Sequence, residues 1–402
     1  MTAPAAFDAL GLLREIEGIG RDPRRGGYSR HVFDDAERTL RDWFVERATR
    51  LGLGVETDRN GNLWAWWGEP GPDAIVTGSH LDSVPGGGAH DGPLGVVSAL
   101  DAVARLKGEG FAPARPLAIV VFAEEEGSRF GIACLGSRLL SGEIDPARAG
   151  ALRDATGRSF ADAARDAGLA SFGRDDEALS RIGVFVELHV EQGKGLIDLD
   201  APVAVASSIL EHGRWRVDVR GQGNHAGTTE IADRRDPMLP AAAAITAARR
   251  AASRRSGARA TIGRLEPIPG GTNVIASRVA AWMDVRASSE ADTRAIVEEV
   301  AAEVAEAAAA EGCEASVVEE SYSAEVRFDP VLRDRLAAAL GGVPVLPTGA
   351  GHDAGVLSAH VPTAMLFVRN PSGVSHAPEE GADDAAVAAG VDALAQSIRE
   401  LS

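Results

Sequence analysis

The sequence predicts an α/β protein with a mixed, mostly parallel sheet, into which a second α+β domain is inserted. In the first half of the chain, strand-like apolar runs alternate with helical segments, a pattern typical of a parallel sheet covered by helices on both faces. Near residue 213 this pattern changes, and near residue 327 it returns. The predicted domains are therefore residues 1–212 together with 327–402, and residues 213–326.

The strand-like runs of the first domain end in polar residues. AIVTG leads into SHLD, LAIVVFA leads into EEEG, and IGVFVEL leads into HVEQG. Helices are predicted in DDAERTLRDWFVERATRLG and PLGVVSALDAVARLKGEG, and the polar residues 141–182 predict further surface helices. Because parallel sheets bind ligands beyond the C-terminal ends of their strands, these polar residues are predicted to lie at the ligand-binding edge.

The middle of the chain has a different order of elements. WRVDVRG is strand-like and is followed by the helical DPMLPAAAAITAARRAASRR, the strand-like ATIGRLEP and VIASRVAAWMDVRA, the helical EADTRAIVEEVAAEVAEAAAAEG, and the strand-like ASVVEE. This β-α-β-β-α-β order is the signature of a ferredoxin-like unit. Residues 327–402 resume the strand–helix alternation and are predicted to rejoin the first sheet.

Composition and charge exclude several classes of protein. The 402 residues carry a net charge of −18, and no basic stripe offers itself to nucleic acid. No apolar run approaches the ~20 residues of a membrane span, and the N-terminal MTAPAAFDALGLLREIEG predicts an amphipathic helix rather than a signal peptide. Only two cysteines occur, so a disulfide framework is not expected. The sequence predicts a cytoplasmic protein with no membrane or nucleic-acid partner.

Histidines and carboxylates cluster around the predicted strand ends. The candidates are His80, Asp82, Asp91, Glu125, Glu126, His189 and His376. Imidazole and carboxylate together suit zinc, manganese, cobalt or nickel. Five ligands exceed what one open tetrahedral site needs, so two metals that share a bridging carboxylate are predicted. The consecutive glycines in GSHLDSVPGGGAHDG would let the chain turn back and bring Asp91 towards His80.

Seven motifs in this order carry a resemblance to a known family: HLDSV, GGGAHDGPLG, EEEGSRF, ELHVEQG, GNHAGTT, GGTNVIAS and GVSHAPEE. Together they resemble the hydantoinase/carbamoylase group of the M20 metallopeptidase family over nearly the whole chain. That group includes N-carbamoyl-L-amino acid hydrolases, β-ureidopropionases and allantoate amidohydrolases. The resemblance implies a metallopeptidase-like catalytic domain, an inserted lid and dimerisation domain, and a homodimer.

The resemblance also implies roles for individual residues. His80 and His189 would bind one metal, Glu126 and His376 would bind the other, and Asp91 would bridge them. Asp82 would orient His80 through its ring N–H. Glu125 would be the general base that deprotonates water and then protonates the leaving nitrogen. Peptidases of the wider family usually carry a carboxylate where this chain has His189.

The lid residues would complete the site. His225 would reach the site of a neighbouring subunit and stabilise the oxyanion, while Asn273 and Arg286 would contact substrate, with the Arg286 guanidinium matching a carboxylate. Gln192 is a candidate partner for the ureido group. Related sequences often continue HAGTT with Pro-Met, whereas this chain has Glu230 and Ile231, which leaves the shape of that loop open.

Plainer interpretations compete with some of these roles. A histidine on a strand is more often structural than a ligand, and His31, His90, His212 and His360 are interpreted that way because no motif supports a role for them. For His352 in GAGHDAG, a structural role and a place near the site as a substrate-binding residue both stay open. Arg286 could simply pair with Asp284 or Glu266.

The predicted function is hydrolysis of a ureido C–N bond in a small carboxylate substrate. The segments GNLWAWWG, ELHVEQG and EHGRWRV resemble allantoate amidohydrolases, so allantoate is the first candidate substrate. N-carbamoyl-L-amino acids and β-ureidopropionate are the alternatives, because they also carry a carboxylate and a ureido group. A zinc aminopeptidase is disfavoured by His189. A non-catalytic binding protein is disfavoured by the intact Glu125 and the five ligands.

Overall fold

The computed structural model describes residues 7–402, which form two compact units. The first unit comprises the described residues up to 208 together with 327–402, and the second comprises residues 209–326. The predicted first boundary, after residue 212, lies four residues later than the observed one. Glu211 explains the difference, because it accepts hydrogen bonds from Thr293 Oγ1 at 2.6 Å and from the Tyr322 hydroxyl at 3.1 Å, both within the second unit.

The first unit begins with helices and the strands of the main sheet. In chain order the elements before the insertion are α1 (Ala9–Ile16), α2 (Asp35–Arg50), β1 (Gly54–Thr57), β2 (Leu63–Trp67), β3 (Ala74–His80), α3 (Pro93–Gly108), β4 (Leu117–Phe122), α4 (Leu135–Ser141), α5 (Pro146–Ala151), α6 (Phe160–Asp166), α7 (Asp176–Arg181), β5 (Ile182–Val190), α8 (Gly195–Asp198) and β6 (Val203–Ile209). The predicted N-terminal helix thus begins at Ala9, and the first six residues of that segment lie outside the described residues.

The second unit and the return of the chain follow. The second unit contains β7 (His212–Arg220), β8 (Asn224–His225), a 3₁₀ turn (Ile231–Asp233), α9 (Met238–Ser253), β9 (Arg259–Ile268), β10 (Val274–Ile275), β11 (Arg278–Arg286), α10 (Glu290–Ala310) and β12 (Glu314–Ser323). The chain then continues with β13 (Val326–Arg327), α11 (Pro330–Ala339), β14 (Val345–Thr348), α12 (Asp353–Leu357), β15 (Thr363–Val368) and α13 (Asp384–Leu401).

The main sheet is parallel at its centre and antiparallel at its sides. Its strand order is β1-β2-β4-β3-β5-β15-β6-β13, and β14 pairs with β6. Strands β4, β3, β5 and β15 run parallel to one another, while β2 and β6 flank them antiparallel. The four central strands are buried almost throughout, which explains their unbroken apolar sequences. The predicted mixed, mostly parallel sheet is confirmed.

The second unit contains a four-stranded antiparallel sheet in the order β12-β7-β11-β9. With α9 after β7 and α10 after β11, the long elements follow the predicted β-α-β-β-α-β order. Small alanines of α9 and branched residues of α10 share one apolar core with the sheet, including Ala244, Ala248, Ile296, Val300 and Val304. This unit therefore has a core of its own.

Two observations complete the description of residues 7–402. Cys134 and Cys313 are both free thiols. Across this part of the chain, every helix is too short or too polar to cross a membrane.

Helix α3 lies directly against the central strands because Gly95 has no side chain. A Cβ at this position would lie 2.3 Å from the main-chain oxygen of Leu188 in β5 and 2.8 Å from the Cβ of Ser79 in β3. Neither neighbour is the flexible end of a side chain, so the helix itself would have to move. The start of α3 follows Asp91 by two residues, and this contact therefore also fixes where Asp91 lies.

We expect Gly95→Ala to lower the free energy of unfolding by about 1–3 kcal/mol, because the added methyl group overpacks the helix against the sheet. Gly108→Ala is the matched control, since it lies in the same helix and a Cβ there would meet nothing within 4 Å. Chemical denaturation of both variants measures the effect. A Gly95→Ala protein as stable as the control would contradict this account of the packing.

Candidate metal centre

The candidate ligands meet at one edge of the main sheet. His80 is the last residue of β3, His189 is the last but one of β5, and Glu125 and Glu126 follow the end of β4. His376 lies in the loop after β15, where its backbone adopts a left-handed φ of 58°. Because these four strands are parallel and adjacent, their C-terminal ends present the side chains to the same space.

Asp91 joins two groups of candidate ligands. Its Oδ1 lies 3.5 Å from His80 Nε2 and 3.2 Å from His189 Nε2. Its Oδ2 lies 3.4 Å from His376 Nε2, which is also 3.5 Å from Glu126 Oε2. In each group of three, the ligand atoms lie within 4.8 Å of one another, the spacing that a single cation requires. The sequence analysis named all five residues, and the structure brings them together.

The histidine nitrogens of this centre fit a divalent cation. His80 Nδ1 donates to the main-chain oxygen of Asp82 at 3.1 Å, and His189 Nδ1 donates to that of Val190 at 2.9 Å. In the neutral form of each ring, Nε2 therefore carries the lone pair. Within residues 7–402 neither Nε2 has a hydrogen-bond partner, although both are buried. Buried nitrogens that face a carboxylate in this way are suited to coordinate a metal.

The charges around the centre strongly favour bound positive charge. Burial alone lowers the pKa of His80, but Glu125, Asp82 and Asp91 outweigh it and hold that pKa well above its usual value. Burial raises the pKa of Asp91, but His189 and His80 overcome it and keep that pKa well below its usual range. Both shifts show that the buried carboxylates attract cationic partners.

Glu125 is placed to exchange a proton. Its Oε2 lies 3.6 Å from His80 Nε2, and its Oε1 accepts a hydrogen bond from the Cys134 thiol at 3.4 Å. Burial raises the pKa of Glu125 well above its usual range, the nearby Asp353 and Glu126 raise it further, and His80 opposes them. A carboxyl group of raised pKa can accept a proton and later release it, as a general base must.

Asp82 connects the ends of two strands. The sequence analysis expects its carboxylate to accept the ring N–H of His80, yet the main-chain oxygen of Asp82 is nearer to Nδ1 than the carboxylate, at 3.1 Å against 3.5 Å. The carboxylate instead accepts the main-chain N–H groups of Glu125 at 3.2 Å and Glu126 at 3.1 Å. Asp82 therefore fixes the turn that carries Glu125 and Glu126 as well as the ring of His80.

Gln192 contacts the shared carboxylate. Its Nε2 donates to Asp91 Oδ2 and to Ser375 Oγ, both at 2.9 Å. Its Oε1 is buried and has no hydrogen-bond partner among the described residues. The sequence analysis proposed Gln192 as a partner for a ureido group, and a carbonyl oxygen left without a donor suits an N–H group of a ligand.

His352 lies against the metal centre. Its ring centroid is 4.4 Å from that of His189, and it forms with Glu187 and His189 a third group of potential ligands. Burial lowers the pKa of His352 well below its usual value, and neither nitrogen has a hydrogen-bond partner within the part of the chain that the structure describes. Of the two interpretations left open, the structure favours a place near the site.

Sequence analysis missed several supporting residues. Glu187 accepts the hydroxyl of Ser79 and the main-chain N–H of Ala354, and Glu380 accepts the N–H groups of His90 and Asp91. Glu380 is the last residue of the GVSHAPEE motif, in which the sequence analysis assigned a role only to His376. Glu187 lies two residues before His189, and alternate residues of a strand share a face. This alternation could have identified Glu187 as a neighbour of the ligand His189.

The three residues that the sequence analysis assigned to the inserted domain, His225, Asn273 and Arg286, all lie in the second unit. Asn273 and His225 are neighbours, because β8 pairs with β10 and the N–H of Ala226 donates to the main-chain oxygen of Asn273 at 2.9 Å. His225 Nδ1 accepts the N–H of Gly227 at 3.0 Å, so its neutral ring carries the proton on Nε2. Arg286 forms a bidentate pair with Asp284, as the plainer interpretation expects.

The histidines interpreted as structural have local surroundings. His31 Nδ1 lies 2.9 Å from Ser128 Oγ, His212 Nδ1 lies 3.2 Å from the Leu210 oxygen, and His360 is exposed. His90 is the neighbour of Asp91, and burial lowers the pKa of its ring. None of the four belongs to a group of potential ligands among residues 7–402.

Known proteins resemble this chain over almost its full length. Residues 76–400 match Peptidase family M20/M25/M40. An N-carbamoyl-L-amino acid amidohydrolase of Geobacillus stearothermophilus is 36% identical, with 97% of each chain covered. An allantoate amidohydrolase of Escherichia coli is 30% identical, with 96% of each chain covered. A ureidoglycolate hydrolase of Arabidopsis thaliana is 31% identical and covers 100% of this chain and 88% of its own.

Solved structures agree with the fold. The crystal structure of an amidase of the hydantoinase/carbamoylase family from Burkholderia vietnamiensis superposes with a TM-score of 0.88 at 29% identity, with 98% of each chain covered. A tripeptidase of Staphylococcus aureus has a TM-score of 0.63 at 15% identity, which is a likeness of fold.

Proposed function

We propose, on the premise that this chain belongs to Peptidase family M20/M25/M40, that it is a hydrolase that uses two divalent metal ions to cleave a ureido C–N bond of a small carboxylate substrate. The observation that carries this proposal is the position of Asp91, whose two oxygens face two separate groups of ligand atoms. The named amidohydrolases among its relatives support the type of bond.

The residues present fit two metal ions. His80 and His189 would hold one, Glu126 and His376 would hold the other, and Asp91 would bridge them. Divalent cations at such a centre, when bound, act as Lewis acids towards a carbonyl oxygen and lower the pKa of water. Histidine and carboxylate accept zinc, manganese, cobalt or nickel, so the donor set defines the class of metal.

Glu125 would carry the proton during the reaction. It would take a proton from the attacking water and deliver it to the departing nitrogen, so that nitrogen leaves as a neutral amine or ammonia. Burial raises the pKa of this carboxyl group above its usual range, the nearby Asp353 and Glu126 raise it further, and His80 opposes them. Gln192 Oε1, which lacks a donor among the described residues, would accept a ureido N–H.

Two substrate classes fit this proposal. Allantoate remains the first candidate because of the segments that resemble allantoate amidohydrolases and because such enzymes are relatives over almost the full chain. N-carbamoyl-L-amino acids are the alternative, and the relative at 36% identity favours them. β-Ureidopropionate shares the same ureido and carboxylate groups. The reducing cytoplasm remains the proposed compartment, with two free thiols in support.

A substrate panel tests the function. The purified protein, loaded in turn with Zn²⁺ and Mn²⁺, is given allantoate, several N-carbamoyl-L-amino acids, β-ureidopropionate and a dipeptide, and release of ammonia or amino acid is measured. We expect turnover of at least one ureido acid and loss of that turnover after chelation. Turnover of a dipeptide in place of every ureido acid would overturn the proposal in favour of an aminopeptidase.

Glu125→Gln is expected to bind metal normally but to lose most of its turnover. The amide is nearly isosteric with the carboxylate, yet it cannot accept a proton, and loss of a general base costs on the order of 10²–10⁴ in rate. kcat and metal content are measured together with the unfolding midpoint. A kcat close to that of the wild type would show that another group is the base.

We propose further that His225 acts in a neighbouring subunit. Strand β11 runs from Arg278 to Arg286, and eight steps of about 3.3 Å place its ends roughly 26 Å apart. The chain segments that carry His225 and Asn273 continue beyond the Arg278 end of β11, where the Gly221 N–H donates to the Ser277 oxygen. Arg286 is at the other end of the strand. One small ureido acid cannot span that separation, so the two groups would meet it from different chains.

A homodimer through the second unit would supply this arrangement. Leu239 and Ile245 are exposed on α9, at 53% and 43%, and β9 and β12 are the edge strands of the four-stranded sheet. An exposed apolar helix face and free strand edges are suited to self-association around a two-fold axis. The Nε2–H of His225 would then donate to the developing oxyanion in the partner's site.

Mixed dimers test this proposal. Chains with His225→Ala and chains with Glu125→Gln, each nearly inactive alone, are combined and heterodimers are isolated by two affinity tags. If His225 acts across the interface, one site carries both changes and the other carries neither, and activity recovers to about half that of the wild type. Verified heterodimers without recovery would place His225 in its own subunit's site or outside the reaction.

A further inference from the structure

We infer that Glu380 is a positioning residue that joins the Asp91 loop to the His376 loop and thereby sets the affinity of the second metal site, formed by Asp91, Glu126 and His376. The inference rests on the proposed two-metal function. The carboxylate of Glu380 contacts both loops, although the loops are almost 290 residues apart in sequence. Glu380 itself belongs to no group of potential ligands among the described residues.

One oxygen of Glu380 fixes the backbone of the shared carboxylate. Glu380 Oε1 accepts the main-chain N–H of His90 at 3.1 Å and that of Asp91 at 2.9 Å. The residue is only 6% exposed, so these charge-assisted hydrogen bonds are shielded from water. They hold the two consecutive peptide groups that lead into Asp91, and they therefore restrain the backbone from which its side chain projects.

The other oxygen reaches the loop that carries His376. Glu380 Oε2 lies 3.2 Å from the hydroxyl of Ser375, the residue directly before His376. The same hydroxyl is 3.3 Å from Asp91 Oδ2, and its single proton goes to one of these two carboxylates, while it accepts the amide of Gln192 at 2.9 Å. Glu380 and Ser375 thus connect the carboxylate of Asp91 to the backbone next to His376.

Gly88 makes room for this carboxylate. A Cβ on Gly88 would lie 2.3 Å from Glu380 Oε1 and 2.4 Å from its Cβ. The third glycine of GGG therefore has a specific neighbour, and the close contact keeps Glu380 against the main chain of the Asp91 loop.

The His376 loop needs such support. His376 has a φ of 58°, in the left-handed region that is costly for a residue with a Cβ, and half of its side chain is exposed. Few packing contacts can hold an exposed ring in a strained backbone conformation, so hydrogen bonds to its loop must do so. Glu380, four residues later, is one of the two carboxylates within reach of the Ser375 hydroxyl in this loop.

The two metal sites should therefore depend on Glu380 to different degrees. The first site uses Asp91 but takes its other ligands, His80 and His189, from buried strands. The second site uses both Asp91 and His376, the two residues whose loops Glu380 joins. Loss of Glu380 should loosen one ligand of the first site and two of the second, so that the second site loses affinity more strongly.

The test is metal titration of the apo protein, prepared by dialysis against a chelator. Mn²⁺ binding is followed by calorimetry and the bound metal is counted by elemental analysis. The wild type is expected to bind two ions per chain, and Glu380→Ala to bind the first with near-normal affinity and the second about 10–100-fold more weakly, the usual effect of removing a group that orients ligands. Glu379→Ala, which changes the adjacent exposed carboxylate, is the matched control and should bind both ions normally.

Two further variants distinguish positioning from general stability. Glu380→Gln keeps a carbonyl oxygen for the N–H groups of His90 and Asp91 and should rescue the second site. Gly88→Ala displaces the carboxylate and should weaken the second site as Glu380→Ala does, with little additional effect when both changes are combined. In the weakened variants, excess Mn²⁺ should restore kcat with KM almost unchanged.

The possible outcomes separate the proposals. Normal second-ion affinity in a folded Glu380→Ala protein would overturn the role of Glu380 alone. Equal loss of both ions together with a lower unfolding midpoint of the apo form would make Glu380 merely structural and would also overturn it. A wild-type chain that binds a single ion would overturn the two-metal function and this inference with it.

Discussion

The candidate metal centre depends on the carboxylate of Asp91, whose two oxygens face different ligands. Oδ1 is directed to two buried histidines at strand ends, and Oδ2 to the exposed His376 and to Gln192. A buried carboxylate is costly unless positive charge lies close to it. Because both oxygens face ligand groups, any movement of the Asp91 loop would alter both groups at once.

The buried acids around Asp91 explain why cations belong here. Asp82, Glu124, Glu125, Glu126, Glu187 and Asp353 are all buried or nearly so at the same edge of the sheet. Burial and the neighbouring Asp82 raise the pKa of Glu124 to about 8, and burial raises that of Asp353 well above its usual range. Carboxylates packed this closely repel one another, and two divalent cations among them would supply the compensating charge that a pair of histidines supplies only in part.

The sequence predicted the ligands better than their supports. His80, Glu126 and His189 could be found because polar residues directly after apolar strands are conspicuous, and the parallel order of the strands then implied that they meet. Glu380 could not be found in this way, because its hydrogen bonds to the Asp91 loop depend on how two distant loops fold. Asp82 was named from the sequence, but its hydrogen bonds to the main-chain N–H groups of Glu125 and Glu126 carry no sequence signal.

The glycines of GGGAHDGPLG show this limit most clearly. The sequence suggested that the consecutive glycines let the chain turn, and Gly86, with a φ of 76°, adopts a left-handed conformation there. Yet a Cβ on Gly92 would also lie 2.5 Å from the His80 ring, one on Gly88 would meet Glu380, and one on Gly95 would meet β5. A histidine ring, a carboxylate and a strand thus approach the Asp91 loop and the start of α3 where side chains are missing. Close neighbours on these sides leave the Asp91 loop little room for other conformations, which favours a preformed position of the Asp91 carboxylate.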